Sequence, residues 1–271
     1  MDKILRQVRI DTAPPDRSEC GQDCSDVKSL GFGFSYAFQP IVDTLGRVIF
    51  AHEALVRGEA GESASSVLSK VNPDNRYRFD QACRVKAIKT ASHIGLRSRL
   101  SINFMPNAIY RPEVCIRTTL AVAGQYNFPI DQIIFETVEG ERVDDGKWLA
   151  EVFHEYRRIG FRTAIDDFGA GYAGLALLAD FQPDLVKLDM GLIRNIQIDP
   201  VRQTIARSMI RMCSELDISV IAEGVETFDE YRCLEDLGVR LMQGYLFSKP
   251  LFEGCILHPE RLKWPGELAI A

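Results

Sequence analysis

Between residues 34 and 243, short runs of aliphatic, β-branched and aromatic residues alternate with longer amphipathic stretches, and one separation is far too short for a helix. The runs cover residues 34–42, 48–56, 100–103, 133–136, 162–165, 185–189, 219–222 and 241–243. Strands that alternate with helices pair in parallel. Eight of them over about 220 residues predict a closed α/β barrel of the TIM (β/α)8 kind. Only Asp43-Thr44-Leu45-Gly46-Arg47 joins the first two runs. Five residues make a hairpin, whereas a parallel crossover takes a dozen or more. The prediction is therefore a modified barrel with its first strand antiparallel to the second. Helical stripes are read in residues 74–95 (Phe79, Ala82, Cys83, Val85, Lys86, Ile88), along Trp148, Val152, Phe153, Tyr156 and Ile159, and along Ile205, Met209, Met212, Cys213 and Leu216. Gly95, Gly160 and Gly238 stand where such helices stop.

Residues 1–30 lack this periodicity and carry Pro14-Pro15 and many charges, so they read as a flexible or loosely docked leader before a barrel domain over 31–271. No apolar run approaches the length of a membrane span, and the first residues lack the apolar core of a signal peptide. A net charge of −6 argues against a nucleic-acid polymer as partner. Seven scattered cysteines, odd in number, read as free thiols in a reducing cytoplasm, and Cys20 with Cys24 supplies too few ligands for zinc.

Nearly every run ends on a polar residue: Gln39, Glu53, Asn103, Glu136, Asp166 with Asp167, Lys187 with Asp189, Glu223 and Gln243. The C-terminal strand ends of a barrel converge on one mouth. Six carboxylates would meet there against the single ammonium of Lys187. Two like charges about 4 Å apart repel by about 4 kcal/mol at an effective dielectric near 20, so such a cluster takes up protons or binds cations. The donors are oxygens, and the four histidines (52, 93, 154, 258) form no paired ligand motif, which favours Mg²⁺ or Mn²⁺ over Zn²⁺. Adjacent Asp166 and Asp167 can serve two ions, one of them bridging. Two such ions suit a displacement at phosphorus. Lys187 and Asp189, two apart, are expected on one strand face. The glycines at 169, 171 and 174 give the following loop freedom, but no dinucleotide-binding first unit precedes this G-x-G-x-x-G and a Rossmann reading is rejected.

At these residues the chain resembles a family. Glu53-Ala54-Leu55-Val56-Arg57 resembles the signature of bacterial EAL-domain cyclic di-GMP phosphodiesterases. The likeness continues through Gln39-Pro40-Ile41-Val42, Asn103, Glu136-Thr137-Val138-Glu139, Asp166-Asp167-Phe168-Gly169-Ala170-Gly171-Tyr172, Val186-Lys187-Leu188-Asp189, Ala222-Glu223-Gly224-Val225-Glu226, Gln243-Gly244-Tyr245 and Lys249-Pro250, over about residues 34–255. It implies a modified TIM barrel that opens cyclic di-GMP to linear 5′-pGpG in second-messenger signalling, by two metals and an activated water. By position it implies Glu53, Asn103, Glu136 and Asp166 as ligands of one metal, and Asp166 with Asp167 as ligands of the second. Glu223 falls in the same network, and Lys187 would hold the nucleophilic water. Gln39, Arg57 and Gln243 fall at substrate positions, Arg57 suited to a phosphate by its planar donors. Glu139 falls at the anchor of the loop 167–174, and Asp189 and Glu226 at supporting positions. A homodimer is implied too; a regulatory partner is not legible. The chain departs from many members at Ala173-Gly174, in place of two serines, and at Met105, yet keeps every implied ligand. The alternative is a catalytically silent cyclic di-GMP receptor.

Overall fold

The computed structural model describes residues 30–138, 146–169 and 174–264. The leader with Cys20 and Cys24, Glu139 and residues 170–173 of the glycine loop lie outside them.

β1 (Ser35–Asp43) and β2 (Val48–Arg57) form the expected antiparallel hairpin, with Gln39 opposite Glu53. Asp43 makes the turn: its Oδ1 accepts the amides of Leu45 and Gly46, each at 3.1 Å, and Arg47 takes φ +50°. Arg240, just before the last barrel strand, donates from Nε to the same carboxylate at 2.7 Å and holds its pKa below the ordinary carboxylate range.

The chain then runs through α1 (Ala64–Leu68), α2 (Arg76–His93), β3 (Arg99–Asn103), α3 (Pro112–Cys115), α4 (Arg117–Gln125), β4 (Ile133–Val138), α5 (Gly146–Ile159) and β5 (Arg162–Phe168). It continues through α6 (Gly174–Asp180), β6 (Leu185–Leu188), α7 (Met190–Ile193), α8 (Pro200–Glu215), β7 (Ser219–Ala222), α9 (Phe228–Asp236), β8 (Leu241–Met242) and β9 (Leu251–Phe252). Strands β2 to β8 pair in parallel in chain order, and β1 closes the ring antiparallel to both β2 and β8. A ninth strand, not anticipated, lies outside the ring: β9 pairs with the start of β1 beyond the end of β8. No helix among the described residues is long and apolar enough to cross a membrane. The five described cysteines are free thiols.

Gly95, Gly160 and Gly238 end α2, α5 and α9 at φ +73°, +112° and +87°, where a side chain is strained. The α5 stripe is as read, with Val152, Phe153 and Tyr156 fully buried. Two stripes are corrected. In α8 the buried side runs along Ala206 and Cys213, while Ile205 and Leu216 are exposed. In α2 the buried face includes a charged pair, Asp80 and Arg84, because each charge finds a partner there and the apolar pattern alone does not register that.

Candidate active site

Alternate side chains of a strand point to opposite faces, so every second residue of a barrel strand points inward. Ile41, Ala51, Ile134, Ala164, Leu185, Ile221 and Leu241 form a buried cluster separate from the main core, one from each of seven strands. Buried Ser101, in register with Ile134, takes the place on β3. This is the apolar floor of the barrel. Two residues closer to the mouth, the same inward rows carry Gln39, Glu53, Asn103, Glu136, Asp166, Lys187, Glu223 and Gln243. The step of two places one polar residue from each strand directly above one floor residue.

Asp167 breaks this period and still reaches the site. A regular strand would turn it outward. The β5 register slips between Ile165 and Phe168, and Asp167 takes φ +53° with its amide donated to Asp166 Oδ1 at 2.9 Å. Such a bulge re-aims a side chain, and here two adjacent carboxylates come to face one centre.

Lys187, fully buried, stands at that centre. Its Nζ lies 3.3 Å from Glu53 Oε2, 3.1 Å from Glu136 Oε2, 3.1 Å from Asp166 Oδ1 and 2.6 Å from Glu223 Oε1. Burial alone would discharge it, but the carboxylates outweigh burial and hold its pKa well above the ordinary value. Burial pushes Glu136 up to about 8, with Glu53 and Asp166 adding repulsion and Lys187 opposing. Glu223 is raised well above the ordinary range, again by burial first. Asp167 is raised to about 6 by burial and then by the charge of Asp166. Amides complete the layer. Asn103 donates from Nδ2 to Glu53 Oε1 (3.0 Å), and Gln243 Nε2 donates to Glu53 Oε2 (2.8 Å) and Gln39 Oε1 (3.2 Å). Gln39 in turn donates to the Ser248 carbonyl at 3.2 Å.

Two overlapping groups have the chemistry of a divalent-cation site. Glu53, Glu136 and Asp166 each offer an oxygen within 4.8 Å of the others, and so do Asp166, Asp167 and Glu223. Asp166 belongs to both. The donors are all oxygens, and five carboxylates face one ammonium, so hard divalent cations fit this set better than zinc. With its nitrogen given to Glu53, Asn103 keeps its carbonyl oxygen as ligand atom for a cation.

Three residues singled out in the sequence stand outside the carboxylate cluster. β6 stops at Leu188, so Asp189 does not share the inward face of Lys187. It caps α7, its Oδ1 accepting the Gly191 amide at 2.8 Å, its amide donates to the Phe168 carbonyl at 3.3 Å, and its charge adds to the rise of Asp167. Arg57 folds back on its own strand, Nη1 donating to the Val56 carbonyl at 2.7 Å. Glu226 pairs with Arg194 Nη2 at 2.7 Å, outside the carboxylate cluster. Two glycines matter more than composition suggested. A Cβ on Gly224, at φ +64°, would lie 2.5 Å from Met190 Cβ, and one on Gly244 would lie 2.0 Å from the Val225 carbonyl. Gly244 therefore packs directly on the Val225 backbone and Gly224 against the Met190 side chain, and the signal is a glycine directly behind Glu223 and Gln243.

The EAL domain family model matches residues 29–250. The blue light- and temperature-regulated antirepressor BluF of Escherichia coli is 33% identical over 231 residues, 85% of this chain and 56% of BluF. Cyclic di-GMP phosphodiesterase PdeR of the same organism is 32% identical over 58% of this chain and 24% of its own length. The chain thus spans about half or less of the length of these curated relatives. A standalone EAL protein from Vibrio cholerae, solved with cyclic di-GMP bound, is 57% identical with a TM-score of 0.82, over 85% of this chain and 98% of that one. Klebsiella pneumoniae BlrP1, solved with manganese and cyclic di-GMP, is 36% identical with a TM-score of 0.75, over 81% of this chain and 56% of BlrP1.

Proposed function

The chain belongs to the EAL domain family, and we propose that it hydrolyses cyclic di-GMP to linear 5′-pGpG at this mouth with two divalent cations, Mg²⁺ or Mn²⁺. The observation that carries the proposal is the pair of carboxylate groups sharing Asp166 around one buried lysine. Glu53, Asn103, Glu136 and Asp166 would hold one cation, and Asp166, Asp167 and Glu223 the other. Bound cations supply charge to the phosphoryl and leaving oxygens and lower the pKa of a water.

The chain's own groups do the rest. Lys187 Nζ, a charged donor in a dry layer, orients the attacking water and stabilises negative charge building on a phosphoryl oxygen. Glu223, the carboxylate closest to Lys187, takes up the proton of that water. Arg57 swings from the Val56 carbonyl to a phosphate, which its planar fork binds bidentately. Gln39 and Gln243 hold the substrate beside Glu53. Glu139 anchors the loop 167–174, with Glu226 and Asp189 in support. The working unit is the barrel of residues 31–271, as a cytoplasmic homodimer, with residues 1–30 a separate leader. Incubation of the purified chain with cyclic di-GMP and Mn²⁺ or Mg²⁺, beside an EDTA control, tests the reaction by chromatography. Cation-dependent 5′-pGpG supports it; tight binding of an uncut dinucleotide makes the chain a receptor instead.

A further inference from the structure

The one fully buried ion pair outside the mouth among the described residues lies on α2. Arg84 is completely buried; its Nη2 lies 2.8 Å from Asp80 Oδ2, and Nη1 donates to the Tyr156 hydroxyl of α5 at 2.7 Å. The guanidinium rests 4.9 Å from the ring centre of Phe135, the residue before Glu136. The other oxygen of Asp80 leaves the pair: Oδ1 accepts the Met105 amide at 2.9 Å, two residues beyond Asn103. Between them the Phe104 amide donates to the Glu136 carbonyl at 2.9 Å. The strand exit is thus held at two consecutive amides, and Pro106 has none to offer.

A buried ion pair is a poor device for stability alone. The cost of desolvating both charges offsets their attraction, and apolar residues of similar volume often do as well or better. What such a pair does supply is a fixed, charged acceptor, which binds a backbone amide about twice as strongly as a neutral one. We propose that Asp80, held by Arg84, is a positioning residue: it fixes the backbone at Met105 so that Asn103 presents its nitrogen to Glu53 and its oxygen to a cation. This rests on the reading above that Asn103 is a cation ligand. Asp80 acts through Asn103 and touches no reacting atom.

The test measures Mn²⁺ affinity by titration calorimetry without substrate, with urea unfolding as a check on folding. In Asp80→Leu/Arg84→Met the pair becomes apolar, and the protein stays folded at a urea midpoint lowered by the Met105 amide and Tyr156 hydroxyl left without these partners. Loss of a partner behind a ligand weakens metal binding by about 10-fold or more. The same change on an Asn103→Ala background costs clearly less, since both act on one ligand. Asp80→Asn/Arg84→Met keeps a neutral acceptor for the Met105 amide without stranding a cation, and recovers most of the affinity. A folded Leu–Met variant with wild-type Mn²⁺ affinity overturns the proposal. Should that variant not fold, the Asn–Met variant decides: about a 3-fold weakening supports it, from the weaker neutral acceptor, and no change overturns it. Wild-type protein that binds Mn²⁺ yet leaves cyclic di-GMP intact removes the phosphodiesterase reading and leaves this one standing, because the affinity is read without substrate.

Discussion

Lys187→Met removes the only positive charge from the centre of four carboxylates and leaves the barrel filled. Each of these contacts, at 2.6–3.3 Å, is worth about 5 kcal/mol gross at an effective dielectric near 20 once its carboxyl is ionised. Burying the ammonium returns several kcal/mol, and removing one member of a buried ion pair costs about 3–5 kcal/mol net. In a chain of this size that lowers Tm by about 10 °C. The cost depends on pH with a definite sign. Glu136, raised to about 8, keeps a proton in the folded protein that the unfolded chain releases near 4.3. Cation-free stability therefore falls as pH rises from about 5 to 8. Without Lys187, Glu136 and Glu223 lose the charge that holds their pKa values down, and the fall continues beyond pH 8. In EDTA the variant should be about 4 kcal/mol less stable than wild type at pH 8 and clearly less impaired at pH 6. Mn²⁺ at about 100 times its Kd returns about 2.7 kcal/mol. Urea unfolding followed by circular dichroism reads all four conditions. A variant as stable as wild type in EDTA at pH 8 would falsify the claim that the ammonium neutralises this cluster.

Protons and cations compete for the same oxygens, so the Tm gain of wild-type protein with Mn²⁺ should grow from pH 6 to pH 8, as Asp167 (about 6) and Glu136 (about 8) release protons; a gain that shrinks with pH contradicts the ligand set. Glu53→Ala should cut turnover of cyclic di-GMP more than about 100-fold, since a ligand counts for more than the outer-shell partners that already cost 10–100-fold; near-normal product formation by a folded variant disproves the metal assignment. Gly224→Ala adds a Cβ 2.5 Å from Met190 Cβ at φ +64°, and should cost about 1–3 kcal/mol in urea unfolding while lowering turnover through displacement of Glu223.

What the sequence shows and what it hides divide along the period of two. Each strand alternates a floor residue and a mouth residue, Ile134 with Glu136 or Leu185 with Lys187, so polar strand ends flag an inward layer without any coordinates. The five residues from Asp43 to Arg47 likewise demand a reversed first strand by length alone. Where the period fails, so does the inference. Asp189 keeps the right spacing from Lys187, but the strand ends at Leu188 and the carboxylate turns to cap α7 instead. Asp167 has the wrong spacing and reaches the site through a bulge and a positive φ, which no local pattern of apolar residues announces. β9 is only two residues long and exposed, too short for periodicity to reveal. Asp80 and Arg84, four apart on α2, look like a solvated helix pair. Their burial depends on Tyr156, Phe135 and the Met105 amide, brought from three other parts of the chain. The layer that would bind cations is thus legible from local spacing, whereas the groups that aim its members come from long-range contacts. Changes in that second group should alter cation affinity while leaving every recognisable motif intact.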